Sequence, residues 1–331
     1  MNVLRPLDRP ADFNRLTPDV VIDCAERALG VRCTNVCRAL NSYINRVYEL
    51  QRADGTLLIA KFYRPGRWSD AALQDEHDFL MELAAEEIPV VAPLAGSDGA
   101  TLQRTGEMRY ALFPKRGGRV LDEPRDAEWA ELGRLIARVH TVGARRRPAD
   151  RVVIAPRQTT VRQIETILAA GVMPPDCAAP YEREAHALVE CIGALFDGVE
   201  MARIHGDAHR QNVIRRPGEG LFLIDFDDMA VGPPVQDLWM FLPGRRVDAR
   251  READALEAGY RTFRDFDPRS WRLLEPLRAM RFIHFAAWCV RQAADGGFAR
   301  LAPGFGTAEY WRSEIRELQK QRREIEDALA E

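Results

Sequence analysis

Ile204-His205-Gly206-Asp207-Ala208-His209-Arg210-Gln211-Asn212, followed ten residues on by Phe222-Leu223-Ile224-Asp225-Phe226-Asp227-Asp228, is the stretch that decides the fold. The first piece sets an Asp and an Asn five residues apart just after a short apolar run. The second sets an Asp at the end of another apolar run, Leu221 to Ile224, across the turn-forming Pro217-Gly218-Glu219-Gly220. Two short strands joined by that turn predict a hairpin that gathers Asp207, Asn212 and Asp225 at one end. Such a set suits phosphoryl transfer. One carboxylate orients an acceptor hydroxyl and takes its proton, while the Asn and the second carboxylate hold Mg²⁺ on nucleotide phosphates. A lone Asp after a strand is ordinarily a cap or an Asx-turn; the ordered set, with a Lys far upstream, argues against that bland origin.

His-x-Asp-x-x-x-x-Asn with an Asp thirteen residues after the Asn resembles the catalytic core of the eukaryotic-like kinases, and the His-Gly-Asp opening is similar to their aminoglycoside phosphotransferase branch. Further segments resemble a family of bacterial stress-response Ser/Thr protein kinases on the same fold. They are Asn41-Ser42-Tyr43, Asn45-Arg46-Val47-Tyr48, Lys61-Phe62-Tyr63-Arg64-Pro65, Val235-Gln236-Asp237-Leu238-Trp239-Met240 and Glu275-Pro276-Leu277-Arg278-Ala279-Met280-Arg281. The likeness runs from about Thr17 to Trp311. It implies a bilobal α+β protein-kinase-like fold with a small antiparallel-sheet N-lobe and a larger, mainly helical C-lobe. The expected divisions are a nucleotide lobe over 1–113, a hinge over 114–118 and a catalytic lobe over 119–331.

The resemblance also implies roles. Lys61 sits on the α- and β-phosphates of ATP with Glu76 orienting it, Asp207 is the base, and Asn212 and Asp225 hold Mg²⁺. Ser42 stands in the phosphate-covering loop and is a candidate for self-phosphorylation. Phe113 and Lys115 lie beside the adenine, and His205 and Asp237 support the catalytic loop. The acceptor implied is a protein Ser/Thr hydroxyl; a small-molecule hydroxyl (aminoglycoside, choline or homoserine) on the same core, and a nucleotide-binding pseudokinase, are the alternatives. His205 and His209 flanking Asp207 also read as possible metal ligands, but no second His or Cys cluster completes such a site. No Walker-A sequence occurs, which excludes a P-loop kinase.

Composition is consistent with this. A chain of 331 residues with 46% hydrophobic content is long enough for two lobes with a sizeable core. A formal net charge of −3 argues against general nucleic-acid binding. Six scattered Cys include no CxxC pair. Arg5, Asp8, Arg9 and Asp12 interrupt any signal-peptide core, and no apolar run is long enough to span a bilayer. The expectation is a cytoplasmic monomer with reduced thiols and no membrane partner.

In chain order, Thr17-Pro18 starts a helix that Gly30 stops. Val36–Leu40 and Arg46–Gln51 read as strands around a loop, 41–45, that lacks the glycines of a kinase phosphate loop. Alternation over Thr56–Tyr63 puts Lys61 on the face of Leu57 and Ile59. Ser69 caps a helix that carries Glu76 and Glu82, both candidates to pair with Lys61. Pro89–Pro93 and a hairpin at Ser97-Asp98-Gly99 are expected to complete the sheet, which ends at Tyr110–Phe113. His140 falls on the apolar stripe of the next helix and reads as a packed histidine. A short helix is expected near 161–170 and another over Arg183–Phe196, and nearly everything after Leu238 reads as helix. Arg278 and Arg281 share a face there, to pair with buried acids or to bind substrate or phosphate.

Overall fold

The computed structural model describes residues 13–295 and 298–330. The first twelve residues, assigned from the sequence to the nucleotide lobe, lie outside that range. Helix α1 (Pro18–Leu29) starts where the Thr17 hydroxyl accepts from the Val20 N–H and stops at Gly30, whose φ of 64° is the left-handed conformation glycine adopts freely. Strands β1 (Cys33–Leu40), β2 (Arg46–Arg52) and β3 (Leu57–Phe62), then β4 (Gln103–Thr105) and β5 (Met108–Pro114), form one antiparallel sheet in the order β1-β2-β3-β5-β4.

The two faces of that sheet explain where Lys61 sits. Leu58, Ala60 and Phe62 pack with Tyr110 and Leu112 under α1 in a small apolar cluster. Ile59 and Lys61 point the other way, as strand alternation requires, toward helix α2 (Asp70–Ala85), which Ser69 caps. Ala111 and Phe113 on that second face join the large core that continues into the helical part.

The sequence misplaced one strand. Residues 89–93 add nothing to this sheet: Val90 bridges Leu223, and the Leu223 N–H donates to the Pro89 carbonyl at 3.0 Å. The turn that joins β4 to β5 lies at Gly106, not at Ser97-Asp98-Gly99. Turn-like composition occurs in both places, and composition alone does not say which one folds a strand back.

Beyond Pro114, β6 (Arg119–Val120) pairs with β8 (Val213–Arg216), which pairs with β9 (Gly220–Leu223). The expected hairpin across 217–220 is present. Strand β7 (Ala202–Ile204) pairs with β10 (Ala230–Gly232), so the segment holding all three candidate catalytic residues leaves and re-enters a two-stranded ladder. Around it stand α3 (Asp126–Gly143), α4 (Val161–Ala169), α5 (Pro175–Gly193), α6 (Val235–Trp239), α7 (Arg250–Tyr260), α8 (Leu274–Gln292), α9 (Phe298–Leu301) and α10 (Ala308–Ala330). Helix α5 begins eight residues before the expected Arg183 and runs through Pro180. That proline is the sixth residue of the helix, so the ladder lacks the hydrogen bond that an N–H there would give to the Asp176 carbonyl. Helices α3 and α7 cross at glycines: a Cβ on Gly133 would stand 2.1 Å from the Leu256 carbonyl oxygen, and one on Gly259 2.0 Å from that of Ala130. Among the described residues no helix is long and apolar enough to cross a membrane.

Candidate active site

The loop after β7 is held from behind by one carboxylate. Asp237, fully buried on α6, accepts the His205 N–H at 2.7 Å and the Gly206 N–H at 2.9 Å. His140 of α3 also meets it, Nε2 to Oδ2 at 2.9 Å, and passes the chain on to the Tyr260 hydroxyl at 3.0 Å from Nδ1. Gly206 is required here, since at φ 83° a Cβ would lie 2.2 Å from the Asp228 carbonyl oxygen. The His205 ring bonds the Ile224 carbonyl at 2.8 Å and accepts the Asp207 N–H at 3.3 Å. Both its nitrogens are therefore engaged within the loop, which removes it as a metal ligand. The ring also packs 4.6 Å from Phe226, and Phe226 meets Phe79 of α2 edge-on at 5.9 Å.

On this support the expected residues converge. The Asn212 amide donates to the Asp207 carbonyl at 3.0 Å, and the Ile224 N–H donates to the Asn212 carbonyl at 2.9 Å, bringing the residue before Asp225 alongside. Asp225 adopts φ 63° and ψ 67°, an uncommon conformation for a residue with a side chain, and its side chain is 56% exposed. Lys61 lies with Nζ 3.4 Å from Asp225, 3.6 Å from Glu76 and 3.1 Å from Asp227. Glu82, the rival partner, pairs instead with Arg203.

Burial works against a charged Lys61, but Asp227, Glu76 and Asp225 outweigh it and hold the ammonium protonated well above its usual range. Burial pushes the Glu76 carboxyl up to about 7, with Lys61 opposing. At Asp207 burial alone would raise the pKa. The His209 hydrogen bond and the Arg281 guanidinium, 2.6 Å away, more than offset it and keep the carboxylate ionised well below the usual range.

Several residues here carry no sequence signal. Asp227 is buried between Lys61 on one carboxylate oxygen and Arg67 on the other, and the oxygen that meets Arg67 also accepts from the Asn45 amide at 3.3 Å. Arg67 also binds Asp228 at 2.6 Å. Arg151, from a stretch that reads as loop, has a fully buried side chain lying 4.2 Å from the centre of the Trp68 ring. It donates to the carbonyls of Met229 at 2.8 Å and Asp227 at 2.7 Å. The adenine candidates are less open. Lys115 pairs its amine with Glu49 and gives its N–H to the Leu57 carbonyl, while Phe113 is buried against His77. Ser42 lies on the β1–β2 loop, where its carbonyl accepts from Arg46.

The profile of the phosphotransferase enzyme family matches residues 36–274. Stress response kinase A of Escherichia coli (strain K12) is 33% identical over 300 residues, 90% of each chain. The serine/threonine protein kinase RdoA of Salmonella typhimurium (strain LT2) is 32% identical over 305 residues, 92% of each. Among solved structures, an amicoumacin kinase in complex with AMP-PNP, Ca²⁺ and Ami superposes with a TM-score of 0.72 at 18% identity, covering 95% of both chains. The chain belongs to the phosphotransferase enzyme family and, within it, groups with stress response kinase A. It is a kinase of bilobal α+β architecture.

Proposed function

We propose that this protein transfers the γ-phosphoryl group of ATP, with Mg²⁺, to a Ser/Thr hydroxyl of a protein. The carrying observation is the convergence of Asp207, Asn212, Asp225 and Lys61, from three separate segments, on one buttressed loop. Asp207 accepts the hydrogen bond of the acceptor hydroxyl and takes its proton as the oxygen bonds to the γ-phosphorus; the bond from that phosphorus to the bridging oxygen breaks and its electron pair leaves with ADP. Lys61 lies on the α- and β-phosphates, fixed by Glu76. Asn212 spends its amide on the Asp207 carbonyl, which leaves its side-chain oxygen as an acceptor, and the half-exposed Asp225 carboxylate has Lys61 as its ion-pair partner. Two oxygen donors of this kind suit a hard dication that keeps phosphate and water ligands. Mg²⁺ there supplies charge neutralisation at the phosphates.

The protein acceptor is favoured by the two curated relatives, both named as kinases and one as a serine/threonine protein kinase. A small-molecule acceptor is the second reading, favoured by the likeness in fold to the amicoumacin kinase. Labelled ATP with a generic protein acceptor separates them. Asp207→Ala is expected to lower transfer by about 10²–10⁴-fold while ATP still binds; undiminished transfer in that variant would remove Asp207 from its role.

A further inference from the structure

Arg281 is the unexpected neighbour of the site. It projects from α8 and sets one guanidinium nitrogen 2.6 Å from Asp207 Oδ1, yet its side chain stays 36% exposed. A guanidinium has five donors in a flat fork, so a contact with one carboxylate oxygen leaves donors to spare. One and two turns further along α8 come Phe285, 48% exposed, and Trp288, stacked on it at 5.7 Å and 15°. Trp288 in turn lies 5.9 Å from Tyr43 of the β1–β2 loop. A shelf of one cation and three aromatic rings thus runs from the candidate base to the nucleotide lobe.

The neighbouring carboxylates are already matched. Asp227 is held by Lys61 and Arg67, Asp228 by Arg67 at 2.6 Å, and Glu275, the one acid in the α8 sequence, by Arg278 at 3.1 Å. Arg291, the third arginine of α8, keeps its buried Nε without a hydrogen-bond partner. An acceptor bearing several ammonium groups needs unpaired carboxylates beside its hydroxyl, and this face offers paired acids and open guanidinium instead.

We infer that Arg281 selects the acceptor, binding a carboxylate or phosphate group next to the hydroxyl to be phosphorylated and turning cationic acceptors away. This rests on the phosphotransfer reading and narrows its substrate class. An incoming anion takes the free donors of the fork while the Asp207 contact keeps the guanidinium aligned, so the anchor and the base are set by one ion pair.

The test uses matched acceptors: two peptides with a single Ser flanked by Asp or by Lys, and the pair 3-hydroxypropanoate and 3-aminopropanol. Acceptor-dependent ATP consumption is measured for wild type, Arg281→Lys, Arg281→Gln and Arg281→Glu, with ATP binding as the check on folding. In wild type the acidic member of at least one pair is expected to be used roughly tenfold better or more. Arg281→Lys should keep most of the preference, Arg281→Gln should lose it through acceptor KM, and Arg281→Glu should favour the cationic member. The inference is overturned by a wild type that turns over ATP without favouring any acid. It is equally overturned by an Arg281→Gln variant whose kcat falls while the acid-to-amine ratio stays put, which would assign the guanidinium to the transferring phosphoryl group. A wild type that neither binds nor turns over ATP would instead sink the phosphotransfer reading beneath it.

Discussion

The two sides of the candidate catalytic centre are built by different means. On the Asp207 side, loop geometry is imposed through backbone N–H groups held by a single buried carboxylate, with His140 and Tyr260 behind it. On the Lys61 side, position comes from side-chain charge: Lys61, Arg67 and Arg151 are interleaved with Glu76, Asp225, Asp227 and Asp228, contributed by the sheet, α2 and three loops. The first arrangement is local and shaped like a cap. The second joins segments more than 150 residues apart and can exist only once both lobes are in place. The difference predicts that damage on the first side unfolds the loop, and that damage on the second loosens the grip on nucleotide.

The largest effect is expected at Asp237. Replacing it with Ala leaves the His205 and Gly206 N–H groups and one nitrogen of His140 unpaired where solvent does not reach. Breaking a buried charged network in this way costs about 3–5 kcal/mol. Urea unfolding should show that loss in midpoint, and transfer activity should fall further than ATP affinity. A variant of wild-type stability would mean that the loop holds its shape unaided, and the contrast between the two sides would be gone.

Arg151 is the corresponding probe of the other side. Its fork serves the carbonyls of Met229, Asp227 and Phe226, and it stacks on Trp68. Arg151→Lys keeps the charge but cannot span those carbonyls, at a cost of roughly 2–3 kcal/mol. Because the segment it fastens carries Asp225 and Asp227, weaker ATP binding should accompany the loss, measured by titration calorimetry. Unchanged ATP affinity would show that the nucleotide side does not depend on this clasp.

The same contrast decides what was legible in the sequence. Asp207, Asn212, Asp225 and Asp237 lie within 31 residues, the first three flanking a hairpin whose turn residues announce it, so spacing and resemblance together place them. Alternation along β3 placed Lys61, while the Ser69 cap of α2 offered Glu76 and Glu82 alike and only the resemblance chose Glu76. Arg67, Arg151 and the pairing of Arg281 with Asp207 were not, because an arginine in a loop or on an amphipathic helix looks the same whether it faces water or a buried acid. Asp227 stood in plain view beside Asp225, and only the register of the turn sends one carboxylate inward and leaves the other exposed. Pro89–Pro93 misled for a related reason: an apolar extended run does not say which sheet it will join.

Two buried histidines bring the comparison to a finer scale. His140, behind the loop, is hydrogen-bonded to a carboxylate and a phenol. His77, one residue after Glu76, is fully buried between two neutral hydroxyls, Tyr63 at 2.8 Å and Thr101 at 2.9 Å. Burial, aided by the charge of Lys61, pushes its pKa from 6.5 down to about 3. Between those values the unfolded chain binds a proton that the folded one refuses. The contribution of a neutral His77 is therefore fully present above about pH 6.5 and drains away as the pH falls. At pH 5 the loss comes to about 2 kcal/mol. His77→Gln supplies an uncharged amide that can meet a hydroxyl, so it should cost about 1 kcal/mol near pH 7.5 but remove this sensitivity. His284, whose pKa burial lowers to about 4, titrates in both proteins and cancels from the difference. The gap between wild type and variant, read from urea midpoints, should then close and reverse between pH 7.5 and pH 5. A constant gap would mean that His77 takes up its proton in the folded state at no cost, with solvent or a carboxylate reaching it.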